Sequence, residues 1–120
     1  MKVLIVDDTG SQRFIIKKLF VDAGILASEI DDAENGEKAL IKVLANTYSV
    51  ILLDWNMPVM DGLEFLKNIR QRNIMIPVIM VTSESEESKK DEAKELGANH
   101  FLTKPFTGIK LMELAKQYLS

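Results

Sequence analysis

Cysteine is missing from all 120 residues, which removes disulfides and thiolate metal sites together and fits a reducing compartment, the cytoplasm being expected. Histidine occurs once, at His100, so no pair of imidazoles exists to share a metal, and His100 is read as an ordinary strand residue. Long apolar runs are also lacking. Val78-Ile79-Met80-Val81 is strand-sized, far short of the ~20 residues of a spanning helix. The start, Met1-Lys2 running directly into a strand and Asp7-Asp8, does not follow the plan of a signal peptide. There is no basic stripe either: the 15 Lys and Arg are scattered among 18 Asp and Glu for a net charge of −3, which argues against direct nucleic-acid binding.

What is present is ordinary for a globular chain, with 47% hydrophobic and 28% charged residues, and the length fits one domain spanning 1–120. Strand-like runs alternate with helix-like segments five times, the mark of a parallel sheet covered by helices on both faces. The expected strands are 2–7, 28–33, 49–53, 77–81 and 100–103. The second carries Glu29, Asp31 and Asp32, which suits a sheet edge. The expected helices are 10–23, 36–45, 62–71, 85–96 and 107–119. In the first, Ile15, Ile16, Leu19, Phe20 and Ala23 recur at helical spacing, with Arg13, Lys17 and Lys18 on the wet side. In the fourth only Ala93 and Leu96 are apolar, so it is expected to dock least firmly and to be an element that moves.

In an open parallel sheet, ligands bind beyond the carboxyl ends of the strands. Here those ends carry Asp7 and Asp8, Asp54, Thr82, and Lys104 followed by Pro105. Three clustered carboxylates repel and resist desolvation, and a hard divalent cation relieves both effects. An all-oxygen site suits Mg²⁺ better than zinc or copper. Lys104 has the reach to hold an anion on the far side of the metal, and the Thr82 hydroxyl can donate to the same anion. A Lys104-Pro105 bond in the cis form would fix the ammonium over the site. A carboxylate in that company is a competent phosphoryl acceptor, with Asp54 as the candidate nucleophile. Trp55 is expected to lie half exposed beside it.

These residues, together with Asp54-Trp55-Asn56-Met57-Pro58-Val59-Met60-Asp61-Gly62 and Lys104-Pro105-Phe106 in this order and spacing, resemble the receiver domain of two-component response regulators, and in particular the single-domain chemotaxis regulators of the CheY type. The resemblance spans nearly the whole chain. It implies a flavodoxin-like α/β fold, (βα)5 with strand order 2-1-3-4-5. It implies that Asp54 takes a phosphoryl group from a histidine kinase. Asp8, Asp54 and the backbone carbonyl of Asn56 would hold Mg²⁺, with Asp7 acting largely through water, while Lys104 and Thr82 would contact the phosphoryl oxygens. Phe101 aligns with the family's switch aromatic, and Asn56 and Glu84 with positions that tune dephosphorylation. Ser83 stands where alanine is frequent.

The chemistry implied is confined to the chain's own phosphoryl transfer and autodephosphorylation, not enzyme turnover of a separate substrate. The implied partners are the kinase, a downstream protein such as the flagellar switch, and a phosphatase. The surface of helix 4, strand 5 and helix 5 would change, in a monomer without membrane or nucleic-acid contacts. A phosphorelay intermediate, a phosphate sink and a fragment of a larger regulator are the alternatives within the family. Outside it, a haloacid dehalogenase phosphatase would want a second aspartate where Asn56 stands. A flavodoxin-type flavin module could use Thr9-Gly10-Ser11 as a phosphate loop, but Asp7 and Asp8 beside it would repel the phosphate.

Overall fold

The computed structural model describes residues 2–83 and 89–119. Along the chain come β1 (Val3–Val6), α1 (Gly10–Asp22), β2 (Ile30–Ala33), α2 (Gly36–Ala45), β3 (Val50–Asp54), α3 (Gly62–Gln71), β4 (Val78–Thr82), α4 (Lys90–Glu95), β5 (His100–Thr103) and α5 (Gly108–Ala115). Single 3₁₀ turns precede β2 and follow α5. All five strands are parallel, in the order β2-β1-β3-β4-β5. This is the flavodoxin-like arrangement, and the charged second strand does lie at an edge.

Alternation along the central strands divides the core between the two faces of the sheet. Leu4, Val6, Ile51, Leu53, Val78 and Met80 face one way, against Ala39 and Val43 of α2, Phe65, Leu66 and Ile69 of α3, and Ala93 of α4. Val3, Ile5, Val50, Leu52, Ile79 and Val81 face the other, against Ile16 and Phe20 of α1 and Leu111 and Ala115 of α5. With apolar residues on both sides, these strands read as nearly continuous hydrophobic runs. Three helices begin on side-chain caps: Asn35, Asp61 and Thr107 accept from the backbone N–H groups of Lys38, Glu64 and Lys110. Gly24 and Gly97, with φ of +101° and +97°, lie just past the ends of α1 and α4, a conformation that favours glycine.

The helix faces depart from the periodic reading. In α1, Ile16 and Phe20 are buried, but Ile15 is 51% exposed and Ala23 is exposed, while Arg13 and Lys17 are half-buried. In α2, where Ala39, Leu40, Val43 and Leu44 share the apolar face by helical spacing, Leu44 is 59% exposed. A periodic stripe states which residues share a face; the packing direction decides how much of its edge is covered. The described part of α4 begins at Lys90, because residues 85–88 of the expected helix lie outside the described residues. Its only buried residue is Ala93, in line with weak docking. The last helix is α-helical to Ala115 and tightens into a 3₁₀ turn at Lys116–Tyr118, short of the expected Leu119. His100 is a strand residue whose Nε2 lies 2.7 Å from the Tyr118 hydroxyl.

Candidate functional site

Register brings the polar strand ends together. Val6 pairs with Leu53, Asp54 with Val81 and Thr82 with Thr103, so Asp7, Asp54, Thr82 and Lys104 emerge together at the carboxyl ends of the strands. The Lys104 backbone N–H donates to the Thr82 carbonyl at 2.7 Å, holding the end of β5 beside β4. The Lys104-Pro105 bond is cis.

Asp7, Asp8 and Asp54 each offer a carboxylate oxygen within 4.8 Å of the other two. Asp7 and Asp54 are buried and Asp8 is exposed, which places the cluster between core and solvent. Lys104 Nζ lies 3.2 Å from Asp54 Oδ1 and 4.0 Å from Asp7 Oδ2. Asp54 Oδ1 also accepts from the Trp55 backbone N–H at 2.9 Å, and Asp7 Oδ1 from that of Thr9 at 2.9 Å. Beside the cluster an open cleft of about 350 Å³ is lined by Asp8, Asn56, Met57, Pro58 and Asp61.

Burial pushes the Asp54 carboxyl up from its ordinary 3.8 to about 6, the Asp7 charge adding to the effect and Lys104 opposing it. Burial likewise raises Asp7, against the Thr9 hydrogen bond and Lys104. A folded-state value above the unfolded one means that the folded chain holds a proton which the unfolded chain releases. In metal-free buffer, stability should therefore fall as pH rises from about 4 through about 6. By the same linkage, Asp54→Asn should stabilise the metal-free chain at pH 7 by on the order of 2–3 kcal/mol. Urea unfolding with EDTA at pH 4 and pH 7 checks both; equal stability of the variant and wild type at pH 7 would refute the burial account.

The donor set fits a hard cation, being all oxygen, crowded and held partly out of water with one ammonium against three carboxylates. Thr82 supplies an independent sign of what else belongs there. Its Oγ1 is buried without a hydrogen-bond partner, a cost of about 1–3 kcal/mol for an ordinary polar group. Thr82→Val should therefore stabilise the chain by about 1 kcal/mol, measured by urea unfolding, whereas Thr82→Ser should not. A Val variant less stable than wild type would show the hydroxyl to be satisfied.

The structure corrects one expectation beside the site: Trp55 is 2% exposed, not half exposed. Its ring belongs to the core with Met57, Phe65 and Leu66, and only its backbone borders the carboxylates. Asn56 is exposed at the cleft, and Glu84 lies outside the described residues. Phe101 is half-buried against the α2/α3/α4 core, with Lys90 Nζ 5.9 Å from its ring centre. The sequence reading missed Arg13, whose guanidinium turns inward to the Asp7 carbonyl, and Asp61, which lines the cleft while capping α3. Asp61 carries the N-cap signature of an aspartate three residues before a glutamate; Arg13 had no signal beyond its place in the first turn after Asp7-Asp8.

A parallel sheet in 2-1-3-4-5 order, with an acidic cluster and a lysine gathered beyond its strand ends, defines an α/β signalling domain of the receiver class. The chain belongs to the response regulator receiver domain family, which it matches over residues 3–116. It is 38% identical over 115 residues to chemotaxis protein CheY-3 of Vibrio cholerae, covering 94% of this chain and 87% of that protein. Among solved structures, chemotaxis protein CheY4 of Vibrio cholerae superposes with a TM-score of 0.87 at 38% identity, over 98% of this chain and 97% of that one. The receiver domain of Francisella response regulator 1452 superposes with a TM-score of 0.88 at 35% identity, over 98% and 94%. No helix among the described residues is long and apolar enough to cross a membrane.

Proposed function

We propose that residues 1–120 act as one receiver domain in which Asp54 accepts a phosphoryl group from a phosphohistidine of a kinase and passes the event on as a change of surface. The observation that carries this reading is the placement of Asp54: buried, 3.2 Å from Lys104 Nζ, and sharing a 4.8 Å cluster with Asp7 and Asp8. In the transfer, a carboxylate oxygen of Asp54 forms the new bond to phosphorus as the phosphorus–nitrogen bond to imidazole breaks. Asp8, Asp54 and the Asn56 carbonyl would hold Mg²⁺, with Asp7 acting through water. Bound there, the ion supplies charge neutralisation between nucleophile and phosphoryl oxygens. Lys104 balances the same charge from the β5 side, and the partnerless Thr82 hydroxyl supplies a donor for a phosphoryl oxygen.

The switch follows from that last contact. Drawing Thr82 toward a phosphoryl group would shift the end of β4 and open room for Phe101, which lies on the neighbouring strand opposite Met80. The α4, β5 and α5 surface is then the natural reader of the change, since among the described residues of α4 only Ala93 is buried, with Leu96 just past its end packed on the same core. The CheY relatives favour a chemotaxis target protein; a phosphatase bordering Asn56 and Glu84 would reset the state.

Titration with Mg²⁺ and then acetyl phosphate, followed by intact mass and by fluorescence of the single tryptophan, tests this reading. Mg²⁺-dependent gain of one phosphoryl group with a change at Trp55 is expected. No gain of mass at any Mg²⁺ concentration would overturn it.

A further inference from the structure

Adjacent side chains on an extended strand point to opposite faces, so Asp7 and Asp8 can serve one ion only if the chain curls where β1 ends. The structure shows what holds that curl. The Asp7 backbone N–H donates to the Ala33 carbonyl of β2 at 3.1 Å, and its own carbonyl accepts from Arg13 Nη1 at 2.7 Å. The same guanidinium donates through Nε to Asp32 Oδ2 at 3.0 Å. Asp32 sits on the edge strand opposite Ile5, so one planar fork ties the first turn of α1 to the end of β1 and to β2. The Arg13 side chain is only 20% exposed.

We infer that Arg13 is a positioning residue for the metal site: by fixing the Asp7–Asp8 peptide plane it aims both carboxylates into the cluster with Asp54. The inference rests on the Mg²⁺ reading given above. It runs against simple electrostatics, because a cation beside a cation site should weaken metal binding. The fork also sets the requirement apart from charge alone. Lysine keeps the charge but has no rigid pair of donors to span the Asp7 carbonyl and Asp32 together.

Mg²⁺ affinity measured by calorimetry at constant ionic strength in wild type, Arg13→Lys and Arg13→Ala separates these views. Both variants are expected to bind Mg²⁺ about tenfold more weakly, the low end of what losing an outer support of a metal ligand costs. Circular dichroism confirms that each sample is folded, so a fall in overall stability alone does not move the readout. Tighter binding by Arg13→Ala, or wild-type affinity in Arg13→Lys, would overturn the inference. Should Arg13→Ala not fold, Arg13→Lys decides the matter. Absence of Mg²⁺ binding by wild type would instead overturn the metal reading itself, and the inference with it.

Discussion

Asp54→Asn is expected to abolish phosphorylation outright: after incubation with Mg²⁺ and acetyl phosphate the variant should keep its unmodified mass while wild type gains one phosphoryl group. The substitution preserves size and leaves an oxygen to accept from Trp55 and Lys104, so the fold should survive it. What it removes is the proposed nucleophile, since an amide oxygen cannot form a stable acyl phosphate. The same variant should be the more stable protein in metal-free buffer at pH 7, because the charge that burial penalises is gone. Loss of activity with gain of stability is the pattern of a residue placed for chemistry at the expense of the fold. Loss of both would point to a structural role.

Gly62→Ala should be nearly as damaging by an indirect route. A Cβ at this position would lie 2.4 Å from the Asp54 carbonyl oxygen and 3.1 Å from the Trp55 Cα, and both are backbone atoms that cannot swing aside. The Gly62 N–H also donates to the Trp55 carbonyl at 2.9 Å, locking α3 against the end of β3. Overpacking of this kind costs about 3 kcal/mol. A displacement of the acceptor by about 1 Å would lower its phosphorylation rate by roughly 10²-fold. Urea unfolding and the rate of phosphorylation by acetyl phosphate measure the two effects. Wild-type stability and rate together would mean that α3 can back away from β3 without consequence.

Much of the candidate site's placement was legible because apolar strands buried on both faces stand out and their first polar followers mark the strand ends. Val3–Val6 before Asp7 and Val50–Leu53 before Asp54 are such cases, and parallel register then brings those ends together. The charge on β2 located the edge for a similar reason. Legibility failed where the third dimension decides. Trp55 looked like a rim residue because it follows a polar strand end, yet its ring turns down into the core while its backbone stays at the site. Arg13 looked like solvated helix surface, but the Asp7 carbonyl needs a donor where the ladder ends and Arg13 is within reach.

In the proposed role of Asp54, Lys104 is a charge partner already in contact and the Thr82 hydroxyl a buried donor without a hydrogen-bond partner. The most direct test is to trap the acyl phosphate where it forms. Wild-type protein treated with acetyl phosphate and Mg²⁺, then reduced with borohydride, converts a phosphorylated aspartate to homoserine, which peptide mass spectrometry locates. The account predicts homoserine at position 54, dependent on Mg²⁺; homoserine at Asp7, Asp8 or Asp61 instead, or at none of them, would contradict it.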